Sequence, residues 1–305
     1  MVDRNEMNRC RKWDPIFDDL FSSAVFNHGK NVDVLRVILK NRYEKLALLS
    51  DLGVPIEELK EQINEREKEN LYFNFKEKIQ NNIKDDKFSV IAEMKRMSPS
   101  AGYIIPTDKY NPVEIAKIYE KNKATCLSVL TEPSFFGGEF HHMLDIKKAD
   151  IKLPILCKDF MVTKWQLYFA RSRGADAILI ILAAFDMFAD DKKKLLYELY
   201  DEALKLNMSV IIETHNIEEA VRALEFKEAL IGVNNRNLKT LKTDKNTTYS
   251  INNALRTFEG PLISESGIKT KEELLDINLK TKIKTFLIGE SLLKNLDKNN
   301  IFSVL

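Results

Sequence analysis

From Phe88 onward the chain repeats one pattern, in which a short apolar run is followed by a longer amphipathic stretch. Short apolar runs predict buried strands, and apolar residues three and four apart predict helices. The predicted strands are 89–95, 126–130, 155–158, 177–182, 210–213, 230–234, 262–264 and 285–288. The predicted helices are 112–122, 143–149, 164–173, 191–206, 217–224, 246–255, 271–277 and 291–295. This succession of strand–helix units predicts the α/β class and a closed parallel sheet, the (β/α)8 TIM barrel.

The region before this repeat has a different pattern. Residues 34–49 and 55–70 carry helical periodicity, so a helical prelude over about 34–85 is predicted within one barrel domain, 34–305. Residues 1–33 lack periodicity and are predicted to form an irregular N-terminal extension. An open doubly wound sheet is the structural alternative. It would need Gly-x-Gly-x-x-Gly after the first strand, where the chain reads Ser-Pro-Ser-Ala-Gly.

Polar residues collect where the predicted strands end. Glu93 and Lys95 are two residues apart, so a strand places both on one face. The other strand ends carry Thr131-Glu132, Lys158-Asp159, Glu213, Asn234-Asn235-Arg236 and Ser264-Glu265-Ser266-Gly267. Each alone is typical of a loop, but a closed barrel brings them to one rim, which predicts an active site. Structural ion pairing between the lysines and glutamates is the alternative.

Two of these loops have the composition of anion-binding turns. They are 264–268 and 289–291, which follow the last two predicted strands, where (β/α)8 enzymes frequently bind phosphate. Ordinary Ser and Gly capping explains either loop alone. The pair together favours a phosphorylated substrate.

Composition excludes several classes of function. The formal charge is +1, from 47 basic and 46 acidic residues, which argues against nucleic-acid and membrane-surface partners. The apolar stretch 177–185 is far shorter than the roughly 20 residues of a membrane-spanning helix. Cys10, Cys126 and Cys157 are widely spaced, and the four histidines lack metal-ligand spacing, so we expect neither disulfides nor a metal site.

Taken in order, these segments resemble the indole-3-glycerol-phosphate synthase family from about Val34 to the end of the chain. The matching segments are 91–100, 130–138, 154–160, 174–177, 212–213, 231–238, 264–268 and 287–291. The resemblance implies a (β/α)8 barrel with an added N-terminal helical segment, a lyase of tryptophan biosynthesis, and no cofactor or metal. The implied reaction closes the ring of 1-(2-carboxyphenylamino)-1-deoxyribulose 5-phosphate to indole-3-glycerol phosphate, with loss of carbon dioxide and water.

The resemblance also implies roles for individual residues. Lys158 would be the general acid of the condensation, and Glu213, Glu93 and Lys95 would share the later proton transfers. The implied catalytic set is Glu93, Lys95, Lys158, Glu213, Asn234 and Ser266. The implied substrate-binding set is Ser98, Pro99, Phe135, Phe160, Arg236, Glu265, Gly267, Gly289, Glu290 and Ser291. Phe135, Phe160 and Pro99 would pack on the anthranilate ring.

Other expectations follow from the same resemblance. We expect a monomer that acts on a phosphorylated aryl-amino sugar, with another pathway enzyme as a candidate partner. A cytoplasmic location is predicted, and the alternative is a plastid, because segment 165–172 is similar to chloroplast forms. Two competing functions are an Amadori-type isomerase, which would use Cys/Asp or Asp/Asp pairs at its strand ends, and a non-catalytic scaffold that binds ligand only.

Overall fold

The computed structural model describes residues 33–188, 190–296 and 300–305, so nearly all of the predicted extension 1–33 lies outside the described residues. Eight parallel strands close into a barrel, because β1 pairs with both β2 and β8. The strands are β1 Ser89–Met94, β2 Cys126–Leu130, β3 Ile155–Lys158, β4 Ala177–Ile181, β5 Ser209–Thr214, β6 Leu230–Asn234, β7 Leu262–Glu265 and β8 Thr285–Ile288. The predicted (β/α)8 fold is confirmed.

The helices lie outside the barrel and at its two ends. They are α1 Val34–Leu52, α2 Ile56–Lys68, α3 Phe75–Lys84, α4 Pro112–Lys121, α5 Pro133–Phe136, α6 His141–Lys148, α7 Lys164–Ser172, α8 Leu182–Phe185, α9 Asp190–Lys205, α10 Ile217–Ala223, α11 Asn246–Ala254, α12 Lys271–Thr281 and α13 Glu290–Lys294. Short 3-10 segments occur at Thr107–Lys109 and Asn300–Val304, and a small hairpin pairs Met97–Ser98 with Gly102–Tyr103. Within the described ranges, no helix has both the length and the apolar character needed to cross a bilayer.

The barrel strands are buried along almost their whole length. All residues of β1, β2, β4, β6 and β8 are buried, as expected for parallel strands covered by helices on one face and by the core on the other. The register brings polar residues of neighbouring strands level with each other. Asn234 of β6 lies beside Glu265 of β7, and Lys158 of β3 lies beside Leu130 of β2.

The prelude helices cover opposite ends of the barrel. Helix α1 is capped by the Asp33 side chain and contributes residues to the cavity at the carboxyl end of the strands. Helix α3 lies at the other end, where Phe75 and Ile79 are fully buried. Just before α3, the N–H of Phe73 donates to Asp176 at the start of β4 (2.7 Å). The prelude therefore covers the amino-terminal end of the barrel and also borders the predicted site at the carboxyl end.

Candidate active site

A cavity of about 1080 Å³ opens at the carboxyl ends of the strands. Every barrel strand contributes at least one lining residue, as expected for the catalytic end of a (β/α)8 barrel. These are Glu93, Leu130, Lys158, Leu179, Ile181, Glu213, Asn234, Glu265, Leu287 and Ile288. All the predicted site residues line this cavity except Phe135. Residues that are distant in sequence therefore meet in one space.

Lys158 lies at the centre of the charged groups in this cavity. Its Nζ is 3.2 Å from Oε2 of Glu213 and 3.9 Å from Oε2 of Glu265. Burial alone would lower the pKa of Lys158, but Glu213, Glu265 and Glu93 outweigh it and raise the pKa above its ordinary value. The side chain is therefore an ammonium at neutral pH and carries a proton that it can donate.

Glu213 is held by groups on both of its oxygens. Its Oε2 is 3.2 Å from Lys158, and its Oε1 is 3.2 Å from Nε2 of His215. Asn234 also donates a hydrogen bond to its carboxylate. Burial acts to raise the pKa of Glu213, but Lys158 and His215 lower it below the ordinary range, so Glu213 is an anion.

The surroundings of Glu265 shift its pKa in the opposite direction. Burial raises its pKa well above the ordinary value, and the nearby Glu213 carboxylate raises it further. Its Oε1 is buried and has no hydrogen-bond partner within the described part of the chain. Gly232 leaves the room for this atom, because a Cβ at that position would lie 2.1 Å from Oε1. Of these two neighbouring carboxyl groups, Glu265 therefore binds a proton more readily than Glu213.

Glu93 and Lys95 form a close ion pair on the opposite wall. Lys95 lies one residue beyond β1, but its ammonium still reaches back to Oε1 of Glu93. Burial acts to raise the pKa of Glu93, and Lys95 with Lys158 lowers it overall. Gly289 packs directly on this carboxylate, since a Cβ there would lie 2.4 Å from Oε1 of Glu93.

The two predicted anion loops are joined to each other. The Ser291 hydroxyl of the second loop donates to the Ile268 carbonyl of the first (2.9 Å). Helix α13 begins at Glu290, directly after Gly289. Ser266 has a positive φ of 66°, a conformation that favours glycine, and it lines the cavity. The loops thus form one continuous wall beside Lys95.

Arg236 and Asn234 build the neighbouring wall. Oδ1 of Asn234 accepts the backbone N–H of Arg236 (3.0 Å), and Nη1 of Arg236 donates to the Leu241 carbonyl (3.0 Å). The Arg236 guanidinium therefore stabilises the loop after β6. Arg236 also lines the cavity. Asn234 connects this loop to Glu213.

The phenylalanines that line the cavity differ from the prediction at one position. Phe135 was expected against the substrate ring, but it is buried and lies outside the cavity lining. Phe136 lines the cavity instead, with its ring 6.1 Å from that of Phe160. The cause is helix α5, in which Glu132 accepts the N–H groups of Ser134 and Phe135. Successive residues of a helical turn point about 100° apart, so only one phenylalanine faces the cavity.

One group of side chains has the composition of a metal site, and it lies outside the cavity lining. Glu139, His141 and His142 bring one ligand atom each to within 4.8 Å of one another. Nδ1 of His141 is 3.2 Å from the Glu139 carboxylate, which also faces Arg96 at 3.7 Å. Burial lowers the pKa of His142 to about 3, so its ring is neutral. No metal site is expected from the sequence, because the histidines lack metal-ligand spacing.

The sequence prediction missed two residues next to the predicted site: Phe136, which lines the cavity, and His215, which contacts Glu213 but is not in the lining. His215 lies two residues after Glu213, so the strand alternation that placed Glu93 and Lys95 together was available for it as well. Phe136 was missed because a one-turn helix after β2 was not predicted. The Glu-Pro pair before Ser134 is the relevant signal, since an acidic N-cap followed by proline often starts a helix.

Comparison with known proteins agrees with this geometry. The profile of the family described as indole-3-glycerol phosphate synthase matches residues 35–305. The chain is 43% identical over 221 residues to the indole-3-glycerol phosphate synthase of Prochlorococcus marinus subsp. pastoris, covering 71% of this chain and 72% of that protein. It is 44% identical over 209 residues to the Hyphomonas neptunium protein of the same name, covering 68% and 75%. It is 36% identical over 214 residues to the chloroplastic form of Arabidopsis thaliana, covering 68% and 51%.

Among solved structures, the tryptophan synthase alpha chain of Legionella pneumophila superposes with a TM-score of 0.52 at 11% identity, covering 76% of this chain and 92% of that one. A likeness at that identity supports the barrel fold alone. The profile match covers residues 35–305, which include every strand that lines the cavity. The chain belongs to the indole-3-glycerol phosphate synthase family.

Proposed function

We propose that this chain converts 1-(2-carboxyphenylamino)-1-deoxyribulose 5-phosphate to indole-3-glycerol phosphate, as the names of its relatives indicate. The observation that carries the proposal is the position of Lys158. It is an ammonium in contact with Glu213, at the base of a cavity whose other wall holds two joined anion loops. The strand ends that line the cavity carry Lys158, Glu93, Glu213 and Glu265, which favours this reaction over that of an Amadori-type isomerase; Asp159, which also lines the cavity, is paired with Arg42.

In the first step, the ring carbon that bears the carboxylate attacks the ketone carbon of the sugar. A carbon–carbon bond forms, and the carbonyl electron pair moves onto oxygen, where it takes a proton from Lys158. Donation from a buried ammonium stabilises the charge that develops on this oxygen. Glu213 and Glu265 hold Lys158 in place for this transfer.

Loss of carbon dioxide then restores the aromatic ring. The bond to the carboxyl carbon breaks, and its electron pair returns to the ring. In the last step the new hydroxyl takes up a proton and leaves as water, and the adjacent carbon loses a proton, which forms the C2=C3 double bond of the indole. These transfers need both an acid and a base, and Glu213, Glu93 and Lys95 supply them as a group around the cavity.

The remaining walls hold the two ends of the substrate. The loops 264–268 and 289–291, with Ser98 and the Lys95 ammonium, take the phosphate. Pro99, Phe136 and Phe160 take the aryl ring, and Arg236 faces its carboxylate. Holding both ends fixes the reacting ring carbon near the ketone, which lowers the entropic part of the barrier.

The proposal also concerns the oligomeric state, the cellular location and the partner of the enzyme. We propose that it works as a monomer in the cytoplasm, with a plastid as the alternative because a chloroplastic relative is similar. A second enzyme of the pathway is the proposed partner. Sedimentation of the purified chain tests whether it is a monomer. Imaging of a tagged chain in its own cells tests its location.

The direct test is an activity assay with the purified full-length chain. Incubation with the carboxyphenylamino-deoxyribulose phosphate is expected to produce indole fluorescence. The same substrate without its phosphate is expected to react with a much higher KM, because the loops 264–268 and 289–291 then have no anion to bind. A folded protein that forms no indole would contradict the proposal.

A further inference from the structure

His215 lies between two carboxylates, one of which belongs to the proposed catalytic group. Its Nε2 is 3.2 Å from Oε1 of Glu213, and its Nδ1 is 3.1 Å from Oε2 of Glu219. The His215 side chain is 11% exposed, Glu219 is 7% and Glu213 is 1%. The ring is therefore enclosed, with one carboxylate on each of its two nitrogens.

Glu219 is itself fixed by the start of helix α10. Its Oε2 accepts the backbone N–H of His215 (2.8 Å), and its Oε1 accepts Nδ2 of Asn216 (2.7 Å). The Asn216 side chain in turn accepts the N–H of Glu219 (2.8 Å). These hydrogen bonds fix the position of the Glu219 carboxylate. That carboxylate in turn orients the His215 ring toward Glu213.

We propose that His215 is a positioning residue for Glu213, holding Oε1 of that carboxylate so that Oε2 stays directed at Lys158. The inference rests on the proposed function, in which Lys158 and Glu213 act on the substrate. It adds a residue that touches neither substrate nor reacting atoms, and it divides the two oxygens of Glu213 between two cations.

His215 also makes the surroundings of two neighbouring glutamates unequal. Glu213 and Glu265 both face Lys158, but within the described part of the chain only Glu213 has a second cation within ion-pair distance. That asymmetry agrees with the lowered pKa of Glu213 and the raised pKa of Glu265. Lys158 therefore lies between a more acidic carboxyl group and a less acidic one.

The charged groups around this pair come from several elements. Glu219 faces the ring from α10, Lys158 faces Glu213 from β3, and Glu265 faces it from β7. Burial acts to lower the pKa of His215, but the hydrogen bond with Glu219 and the charges of Glu213 and Glu219 raise it to about 9. The ring is thus a cation over the whole neutral range.

The first test is nuclear magnetic resonance of the full chain with ¹⁵N-labelled histidine, in which His215→Gln identifies the signal. We expect His215 to keep both ring protons until about pH 9, whereas an ordinary histidine titrates near 6.5. In Glu213→Gln and in Glu219→Gln the midpoint is expected to fall. A midpoint near 6.5 in the unaltered chain, or one that Glu213→Gln leaves in place, would overturn the inference.

The second test is kinetic and uses three variants. In His215→Gln we expect kcat to fall about 10- to 100-fold, the size of effect that misplacement of a catalytic group produces. KM should change little, and the acid limb of the pH profile should move to higher pH because Glu213 loses a cation. His215→Lys keeps the cation and should restore part of kcat and of the profile. His141→Gln, an exposed histidine outside the cavity, is the matched control.

The two tests separate failure of the inference from failure of the proposed function. Folded His215→Gln enzyme with an unaltered kcat and pH profile would overturn the positioning role. Equal impairment of the Gln and Lys variants, with no change in the acid limb, would show a role in packing alone. If the unaltered chain forms no indole, the proposed function fails, and the resonance titration still decides whether His215 holds Glu213.

Discussion

Lys158 and Glu213, which are 55 residues apart in the sequence, meet with 3.2 Å between Nζ and Oε2. The contact joins β3 to β5 across the barrel interior, between two strands that are not neighbours in the sheet. Because Lys158 is mostly enclosed, with 15% of its side chain exposed, and its partners are carboxyl groups, it holds its proton until a substrate oxygen competes for it. Turnover should therefore depend on this pair.

Removing the Lys158 ammonium should slow turnover strongly. In Lys158→Met we expect kcat to fall by about 10²- to 10⁴-fold, the usual contribution of a positioned acid, with a much smaller change in KM. Steady-state kinetics by indole fluorescence measure both. Lys158→Arg keeps the charge but holds its proton too tightly to donate it, so we expect it to be slowed as well. Lys152→Met, at an exposed lysine, is the control, and equal kcat in Lys158→Met and the control would refute the acid role.

Filling the space at Gly232 should disturb Glu265. A methyl group there would lie 2.1 Å from Oε1 of Glu265, so Gly232→Ala must displace that carboxyl. We expect lower kcat and a lower thermal unfolding midpoint. Glu265→Asp in the same chain shortens the side chain and should recover part of the midpoint without recovering kcat. Gly232→Ala with unaltered kcat would mean that the position of Glu265 is unimportant for turnover.

The two neighbouring phenylalanines should respond differently to truncation. Phe136→Ala removes part of the cavity wall, so KM should rise while the free energy of unfolding changes little. Phe135→Ala removes a buried ring and should cost about 3–5 kcal/mol of unfolding free energy. Kinetics and denaturant titration on both variants test this. A higher KM in Phe135→Ala than in Phe136→Ala would restore the assignment made from the sequence.

That assignment shows where sequence-based prediction ends. The strands were predictable because parallel strands buried on both faces are continuous apolar runs, and Glu93, Lys158 and Glu213 follow from where those runs end. Choosing between Phe135 and Phe136 needs the one-turn helix that Glu132 caps. Helix α3 lies within the predicted helical prelude of about 34–85, but its own bounds were not predicted because only Phe75 and Ile79 are buried in an otherwise polar segment. The charge state of Glu265 depends on contacts between strands, which no single segment contains.

The buried pair Lys147–Asp176 should matter for stability and not for chemistry. Nζ and Oδ2 are 2.6 Å apart, both side chains are fully buried, and Asp176 also accepts the N–H groups of Phe73 and Ile155. Asp176→Asn leaves a buried ammonium without its counter-charge and should cost about 3–5 kcal/mol of unfolding free energy. Lys147→Met with Asp176→Asn should cost less than Asp176→Asn alone. Denaturant midpoints measure this, and a double variant less stable than the single one would contradict the pairing.

The charged state of His215 should appear in the pH dependence of stability. Its pKa in the folded chain is about 9 and its ordinary value is 6.5, so protonation favours the folded state. The contribution is fully present below pH 6.5 and is lost as the pH rises through 9. The difference in unfolding free energy between the unaltered chain and His215→Gln should thus be about 3 kcal/mol at low pH and shrink above it. A difference that grows from pH 6.5 to 9 would have the wrong sign.

The most direct test of the whole account is product analysis of one reaction. The purified chain is mixed with the carboxyphenylamino-deoxyribulose phosphate. The mass of the product is determined by mass spectrometry, and the released carbon dioxide is measured in the same reaction. We predict indole-3-glycerol phosphate, lighter than the substrate by one carbon dioxide and one water, with one carbon dioxide released for each indole formed, and product formation slowed at least about 100-fold in Lys158→Met. A product of unchanged mass, as an isomerase would give, or a Lys158→Met enzyme as fast as the unaltered chain would contradict this.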